Sequence, residues 1–235
     1  MSSAIDSPII LAVDTKDIAT ARAWIDCTRE SISTYKIGLE FFLTHGAAGL
    51  AQLRDGRDFD LFLDLKIHDI PNTVAGAVQS VSHIRPRFLT VHASGGSAMI
   101  KAAAEVNPEI SITAVTILTS LSEEDVTEIG YAHNAEVSAL SLARMSAASG
   151  ARSIVSSPFE VAKIREQVGS SITLITPGVR PLGSEKGDQS RVMTPPEAMA
   201  AGANYLVIGR PITGEWKNSP DAMSKAAAAI LDSLN

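Results

Sequence analysis

The segment DLKIHDIPNT, residues 64–73, places an acid, a base and a second acid within six residues. On a strand, side chains two residues apart share a face, so Asp64 and Lys66 point the same way. Asp69 follows just past the predicted strand end. Carboxylates around a lysine stabilise its ammonium form, and an ammonium held in this way is a proton donor rather than a Schiff-base nucleophile. A structural ion-pair network at a strand end is the non-catalytic alternative.

Two charged residues near the ends of neighbouring predicted strands extend this pattern. Asp14 follows the first apolar run and Lys36 lies in the second, YKI. A lone lysine of this kind is ordinarily a surface residue, but its position at a strand end beside the strand of Asp64 favours a buried pocket. The sequence therefore predicts a chain of charges, Lys36–Asp64–Lys66–Asp69, in one pocket, with Asp14 close to it.

Two later segments could bind an anion. The fifteen residues from Pro177 to Arg191, PGVRPLGSEKGDQSR, are polar and rich in glycine and proline. Such a stretch is long for a barrel connection, and long loops at this position often act as lids. Arg180 and Gln189 are its candidate ligand contacts, although an ordinary solvated loop fits the composition equally well. In the segment VIGRPIT, residues 207–213, Gly209 allows close backbone approach and Arg210 offers a forked donor to phosphate.

The elements that must position these residues are eight short apolar runs at roughly even spacing. Most are nearly continuous rather than alternating, which is typical of parallel strands buried on both faces. With helical stretches between them, they predict an α/β fold, a (β/α)8 TIM barrel, rather than an open doubly wound sheet. No linker or low-complexity run divides the chain, so one domain over residues 1–235 is expected. The predicted strands are Ile9–Val13, Tyr35–Ile37, Leu61–Leu65, Phe88–Val91, Ile112–Ile117, Ile154–Val155, Ile172–Ile175 and Tyr205–Ile208.

Three segments carry helix-start signals. SPFE, TPPE and SPDA each combine a capping Ser or Thr with proline at the first helical position, at Ser157, Thr194 and Ser219. Active sites of barrels lie at the C-terminal ends of the strands. Polar residues do follow the predicted strands there, among them Thr119 and Ser120 after the fifth.

Composition and charge exclude several classes of protein. There are 20 Lys and Arg against 26 Asp and Glu, a formal net charge of −6, which argues against nucleic acid or an anionic membrane as the main partner. The single cysteine, Cys27, excludes an internal disulfide framework and a multi-cysteine metal site. The N-terminus lacks signal-peptide features, and no apolar run approaches the ~18 residues of a membrane span. A cytoplasmic enzyme is the expectation.

Taken with TPGVRP, GDQSRVMTP and VIGRPI, the segment DLKIHDIPNT resembles the bacterial orotidine 5'-phosphate decarboxylase family. LAVD, YKIGLE and TILTSL resemble it too, and all these motifs fall in the family order between residues 11 and 213. The resemblance implies a (β/α)8 barrel that converts orotidine 5'-monophosphate to uridine 5'-monophosphate in de novo pyrimidine biosynthesis. It also implies a homodimer and the use of neither a metal nor an organic cofactor.

The resemblance further implies a role for each matching residue. Lys66 would protonate C6 of the pyrimidine, Asp64 would lie beside the substrate carboxylate, and Lys36 would hold Asp64 and contact the ribose. Asp69 and Thr73 would reach the partner's site across the dimer. The remaining implied contacts are Asp14 to the ribose hydroxyls, Thr119 and Ser120 to the pyrimidine, Pro177 in the substrate site, and Arg180, Gln189, Gly209 and Arg210 to the phosphate or a closing lid.

Three alternatives remain. Metal-dependent sugar-phosphate decarboxylases and aldolases of the same barrel superfamily share the Asp-x-Lys-x-x-Asp pattern, but their second strand resembles EIG, with a glutamate that binds magnesium. This chain has Lys36 at that place, in YKIG, and lysine cannot take the metal role. A catalytically silent nucleotide-binding barrel would be expected to have lost Asp64 or Lys66. A Schiff-base aldolase would hold its lysine in an apolar pocket, not between carboxylates.

Overall fold

Eight parallel strands form a closed barrel in which each strand pairs with the next and the eighth with the first. The computed structural model describes residues 7–181 and 193–234. The prediction of a (β/α)8 barrel is thereby confirmed. The strands are β1 (Ile9–Ala12), β2 (Thr34–Gly38), β3 (Asp60–Ile67), β4 (Phe88–His92), β5 (Ser111–Val115), β6 (Ser153–Val155), β7 (Thr173–Pro177) and β8 (Tyr205–Ile208).

A helical segment follows every strand and covers the outside of the barrel. The last helix packs against the first, which joins the two ends of the described chain. The helices are α1 (Ile18–Thr28), α2 (Leu39–Arg54), α3 (Pro71–Ser82), α4 (Gly96–Val106), α5 (Glu123–Glu128), α6 (Ala135–Ala148), α7 (Val161–Val168), α8 (Pro195–Ala200), α9 (Arg210–Thr213) and α10 (Pro220–Asp232), with short 3-10 turns at Ala93–Gly95 and Gly214–Lys217.

The continuous apolar runs are explained by burial on both faces of the sheet. Ile9 and Leu11 belong to the large core between strands and helices, whereas Ile10 and Ala12 belong to a smaller cluster inside the barrel. Because side chains alternate along a strand, both sets must be apolar for the strand to fit between the two layers. Lys36 is the register partner of Ala12, which belongs to the inner cluster, so the Lys36 side chain also points into the barrel.

Two of the three predicted helix starts are confirmed. Thr194 forms a capping box at the start of α8, and the Ser219 side chain accepts from the backbone of Ala222 in α10. The start predicted at Ser157 is wrong, since α7 begins at Val161. Residues 157–160 instead close a separate turn in which the Glu160 N–H donates to the Ser157 carbonyl, so the helix is delayed by one turn.

In the part of the chain that the structure describes, no helix has both the length and the apolar character needed to cross a membrane.

Candidate active site

Four charged side chains meet at the C-terminal ends of β1, β2 and β3. The Lys36 ammonium lies 3.0 Å from Asp14 Oδ1 and 3.5 Å from Asp64 Oδ2. The Lys66 ammonium donates to both oxygens of Asp64, each at 2.8 Å. The structure thus brings Asp14, Lys36, Asp64 and Lys66 into one alternating network.

Burial makes this network electrostatically strong. Burial acts to raise the pKa of the Asp64 carboxyl, but the two ammonium groups and their hydrogen bonds outweigh it and hold that pKa below its usual value. Burial likewise opposes the charge of Lys36, yet Asp64 and Asp14 raise the pKa of its ammonium above its usual value. The network therefore keeps a carboxylate and an ammonium charged although each is largely removed from water.

The β3–β4 pairing is interrupted at the segment that carries Asp64 and Lys66. The register shifts so that three residues of β3, 64–66, lie opposite the single residue Thr90. Lys66 adopts a left-handed backbone conformation with φ of 47°, which is uncommon for a residue with a side chain. Sequence reasoning missed both this bulge and Thr90, whose hydroxyl donates to Asp64 Oδ1 at 3.0 Å.

The charged network forms one wall of a cavity of about 190 Å³. The remaining wall is mainly apolar and comes from β3, from β5 to β8 and from the segment after β5, which includes Thr119. An adjoining cavity of about 250 Å³ shares Lys36, Asp64 and Lys66 and extends to Asp14. The apolar wall consists of Phe62, Val115, Ile117, Leu118, Val155, Pro177 and Val207.

The other residues predicted on the β3 and β5 loops lie outside these cavities. Asp69 is exposed beyond the end of β3, where its Oδ1 accepts from the Ile70 N–H at 2.7 Å. Within one chain it therefore does not join the network of Asp64 and Lys66, contrary to the charge chain predicted from sequence. Thr73 is exposed in the first turn of α3, and Ser120 is exposed directly after Thr119.

The candidate anion contacts lie at the same end of the barrel, after β7 and β8. Arg180 is buried, and its guanidinium donates to the Val179 carbonyl. Gly209 directly follows β8 and precedes α9, whose first residue is the exposed Arg210. Gln189 lies outside the described residues. The loops after β7 and β8 are the usual phosphate-binding positions of such barrels.

A family model described as Orotidine 5'-phosphate decarboxylase / HUMPS family matches residues 7–226. The chain belongs to this family. An orotidine 5'-phosphate decarboxylase of Thermobifida fusca (strain YX) is 50% identical over 222 residues, covering 94% of each chain. One from Moorella thermoacetica (strain ATCC 39073 / JCM 9320) is 42% identical and covers 95% of this chain and 92% of its own. The crystal structure of the decarboxylase from Lactobacillus acidophilus superposes with a TM-score of 0.81 at 32% identity, over 96% of this chain and 99% of its own.

In a member of the orotidine 5'-phosphate decarboxylase / HUMPS family, this arrangement suits a reaction that develops negative charge on a ring carbon. An ammonium fixed beside that carbon stabilises the charge and can supply a proton. A mainly apolar wall of this kind suits the flat face of a ring. In residues 7–181 and 193–234, no group of three or more His, Cys, Asp and Glu side chains is arranged to hold a metal ion.

Proposed function

We propose that this chain decarboxylates orotidine 5'-monophosphate to uridine 5'-monophosphate, in de novo pyrimidine biosynthesis, without a metal or organic cofactor. Its family membership supports the reaction. The observation that most directly supports the mechanism is the position of the Lys66 ammonium. It donates to both oxygens of Asp64 and lines a cavity whose remaining wall is mainly apolar. The competing sugar-phosphate chemistry is disfavoured because the Lys36 ammonium lies between Asp14 and Asp64, where a divalent cation would be repelled.

In this mechanism Lys66 acts at C6 of the pyrimidine. The bond between C6 and the carboxylate carbon breaks, carbon dioxide leaves, and the electron pair remains on C6. The Lys66 ammonium stabilises that pair and then gives it a proton, and the resulting amine regains a proton from solvent. Two unit charges 4 Å apart interact by about 4 kcal/mol at an effective dielectric of 20, which corresponds to roughly three decades of rate.

The rest of the acceleration comes from binding energy at parts of the substrate remote from C6. In the proposed complex Asp14 and Lys36 hold the ribose. Thr119 and Ser120 lie near the pyrimidine, and Pro177 lines its pocket. The phosphate is bound by Arg180, Gln189, Gly209 and Arg210.

We also propose a homodimer in which Asp69 and Thr73 complete the partner's site. Both side chains are exposed, which leaves them available to a second subunit. Two exposed apolar side chains are available to the same association: Ile70, directly before α3, is 66% exposed, and Leu43, on α2, is 78% exposed. Covering these side chains would stabilise the association.

Two further properties belong to the proposal. The whole chain forms one barrel domain, a view supported by the packing of α10 on α1. The enzyme works in the cytoplasm, which fits a chain with a single cysteine and hence no internal disulfide.

The test is the loss of ultraviolet absorbance when purified, EDTA-treated protein is mixed with orotidine 5'-monophosphate. We expect rapid, metal-independent conversion to uridine 5'-monophosphate. Activity that appears only on a sugar phosphate with added magnesium would instead assign the chain to the metal-dependent relatives and overturn the proposed role of Lys36.

A further inference from the structure

A single buried hydroxyl joins the two residues at the centre of the network. Thr90 Oγ1 accepts a hydrogen bond from the backbone N–H of Lys66 at 2.8 Å and donates one to Asp64 Oδ1 at 3.0 Å. Thr90 lies on β4 and is fully buried. It lines neither of the two cavities, and its hydrogen bonds connect it to their lining at Asp64 and Lys66.

The bulge explains why the Lys66 N–H needs such a partner. Where three residues of β3 lie opposite one residue of β4, the regular ladder bonds between the strands are interrupted. A buried N–H without an acceptor costs about 1–3 kcal/mol. The left-handed conformation of Lys66 adds strain that the surroundings must hold in place. The Thr90 hydroxyl supplies the missing acceptor from a side chain.

The same hydroxyl uses its proton to fix the carboxylate. Asp64 receives hydrogen bonds from the Lys66 ammonium on both oxygens, and the Thr90 hydroxyl on β4 adds a third donor. A side chain that both accepts from the Lys66 backbone and donates to the Asp64 carboxylate fixes the distance between these two residues. Displacement of a catalytic group by about 1 Å can lower the rate by roughly a hundredfold.

We propose that Thr90 is a positioning residue for the decarboxylation, holding the strained Lys66 backbone and the Asp64 carboxylate in their reactive geometry. This inference rests on the proposed function. Because Thr90 lines neither cavity and orients Asp64 and Lys66, we expect its loss to act mainly on kcat and to leave KM nearly unchanged. A threonine that only fills space would not be expected to lower kcat while leaving KM unchanged.

The decisive comparison is between Thr90→Val, which keeps the shape and removes the hydroxyl, and Thr90→Ser, which keeps the hydroxyl. We expect Thr90→Val to lower kcat by about 10- to 100-fold and Thr90→Ser to recover most of that loss. Losing the donor to Asp64 also raises the pKa of that carboxyl, so the acid limb of the kcat/KM profile moves to higher pH in Thr90→Val.

Thr113 provides a matched control. It is the register partner of Thr90 on β5, is equally buried, and bonds Ser153 and the Ser111 carbonyl rather than the charged network. We expect Thr113→Val to lower stability while leaving kcat within about twofold of wild type. If Thr90→Val does not fold, Thr90→Cys takes its place, since a thiol is of similar size but a much weaker hydrogen-bonding group.

A carbon-13 NMR titration of the Asp64 carboxyl tests the hydroxyl without any substrate. We expect its pKa to rise in Thr90→Val and to stay near the wild-type value in Thr90→Ser. An unchanged Asp64 titration, equal damage by Ser and Val, or a Thr90→Val enzyme with wild-type kcat would each overturn the role of Thr90. A wild-type protein that does not turn over orotidine 5'-monophosphate would overturn the proposed function instead, and the titration would still show whether the Thr90 hydroxyl stabilises the Asp64 carboxylate.

Discussion

At the scale of single residues, Asp64 explains how this site keeps its charges. The carboxylate is buried, yet Lys36, Lys66 and Thr90 all direct donors or positive charge toward it. A carboxylate in such surroundings stays ionised because its charged form is the one that is stabilised. The sequence predicts the Asp64–Lys66 pair because a two-residue spacing on a strand needs no knowledge of other strands. Thr90 could not be predicted, since its importance depends on a bulge formed by residues far from it in sequence.

Arg210 carries a prediction of its own at this scale. If its guanidinium binds the phosphate, Arg210→Ala removes a charge-assisted hydrogen bond worth about 1.5–3 kcal/mol, or roughly 10- to 150-fold in kcat/KM. The measurement compares kcat/KM for orotidine 5'-monophosphate and for orotidine, which lacks the phosphate. The loss should be confined to the phosphorylated substrate, and equal losses on both would remove Arg210 from the phosphate site.

At the scale of elements, the turn after β6 shows where local signals fail. SPFE has the residues of a helix start, but the structure uses Ser157 to close a turn and starts α7 only at Val161. Glu160 is buried at this turn, and within residues 7–181 and 193–234 one of its carboxylate oxygens has no hydrogen-bond partner. The energy of that burial depends on tertiary packing, which no short motif encodes.

Glu160 makes the stability of the protein depend on pH. Burial raises the pKa of its carboxyl to about 7, with the charges of Glu136 and Glu123 adding to the effect and a Ser157 backbone hydrogen bond opposing it. The folded state therefore binds this proton more tightly than the unfolded state, and the free energy of unfolding falls as pH rises from about 4.5 to 7. The nearby Lys163 is paired with Glu136.

Glu160→Gln removes this dependence. We expect the substitution to raise the free energy of unfolding by about 1–3 kcal/mol at pH 8 and to have little effect at pH 4. Urea denaturation at pH 8 and at pH 4 measures the change in the free energy of unfolding at each pH. Glu166→Gln, an exposed change on the same α7, serves as the control and should leave stability unaltered at either pH. A Glu160→Gln protein that is less stable than wild type at pH 8 would contradict this account.

At the scale of the whole molecule, the barrel is the part most fully predictable from sequence. Eight apolar runs at even spacing indicate eight parallel strands, because each strand must be apolar on both faces to lie between the helices and the barrel interior. Strand ends were less accurate: the fifth strand ends at Val115, not Ile117. The apolar run continues beyond the end of the strand to Ile117 because Ile117 lines the cavity. Apolar character there serves the site and not the sheet.

The proposed dimer is tested by a charge on its apolar surface. Ile70→Asp would place a carboxylate in the contact between subunits, which we expect to weaken association by about 3 kcal/mol, or roughly a hundredfold. Analytical ultracentrifugation would show the shift toward monomer, and kcat/KM would fall with it because Asp69 and Thr73 no longer reach a partner. Ile129→Asp, an apolar residue 59% exposed at the end of α5, is the matched control. Dimerisation that survives Ile70→Asp would locate the interface elsewhere.

The central claim is that the Lys66 ammonium carries the chemical step. The most direct measurement is kcat/KM for orotidine 5'-monophosphate in wild type, Lys66→Ala and Lys101→Ala, the last removing an exposed lysine on α4. We predict a loss of at least about three decades in Lys66→Ala with the fold intact by circular dichroism, and no loss in Lys101→Ala. Turnover near the wild-type rate by a folded Lys66→Ala protein would contradict the account.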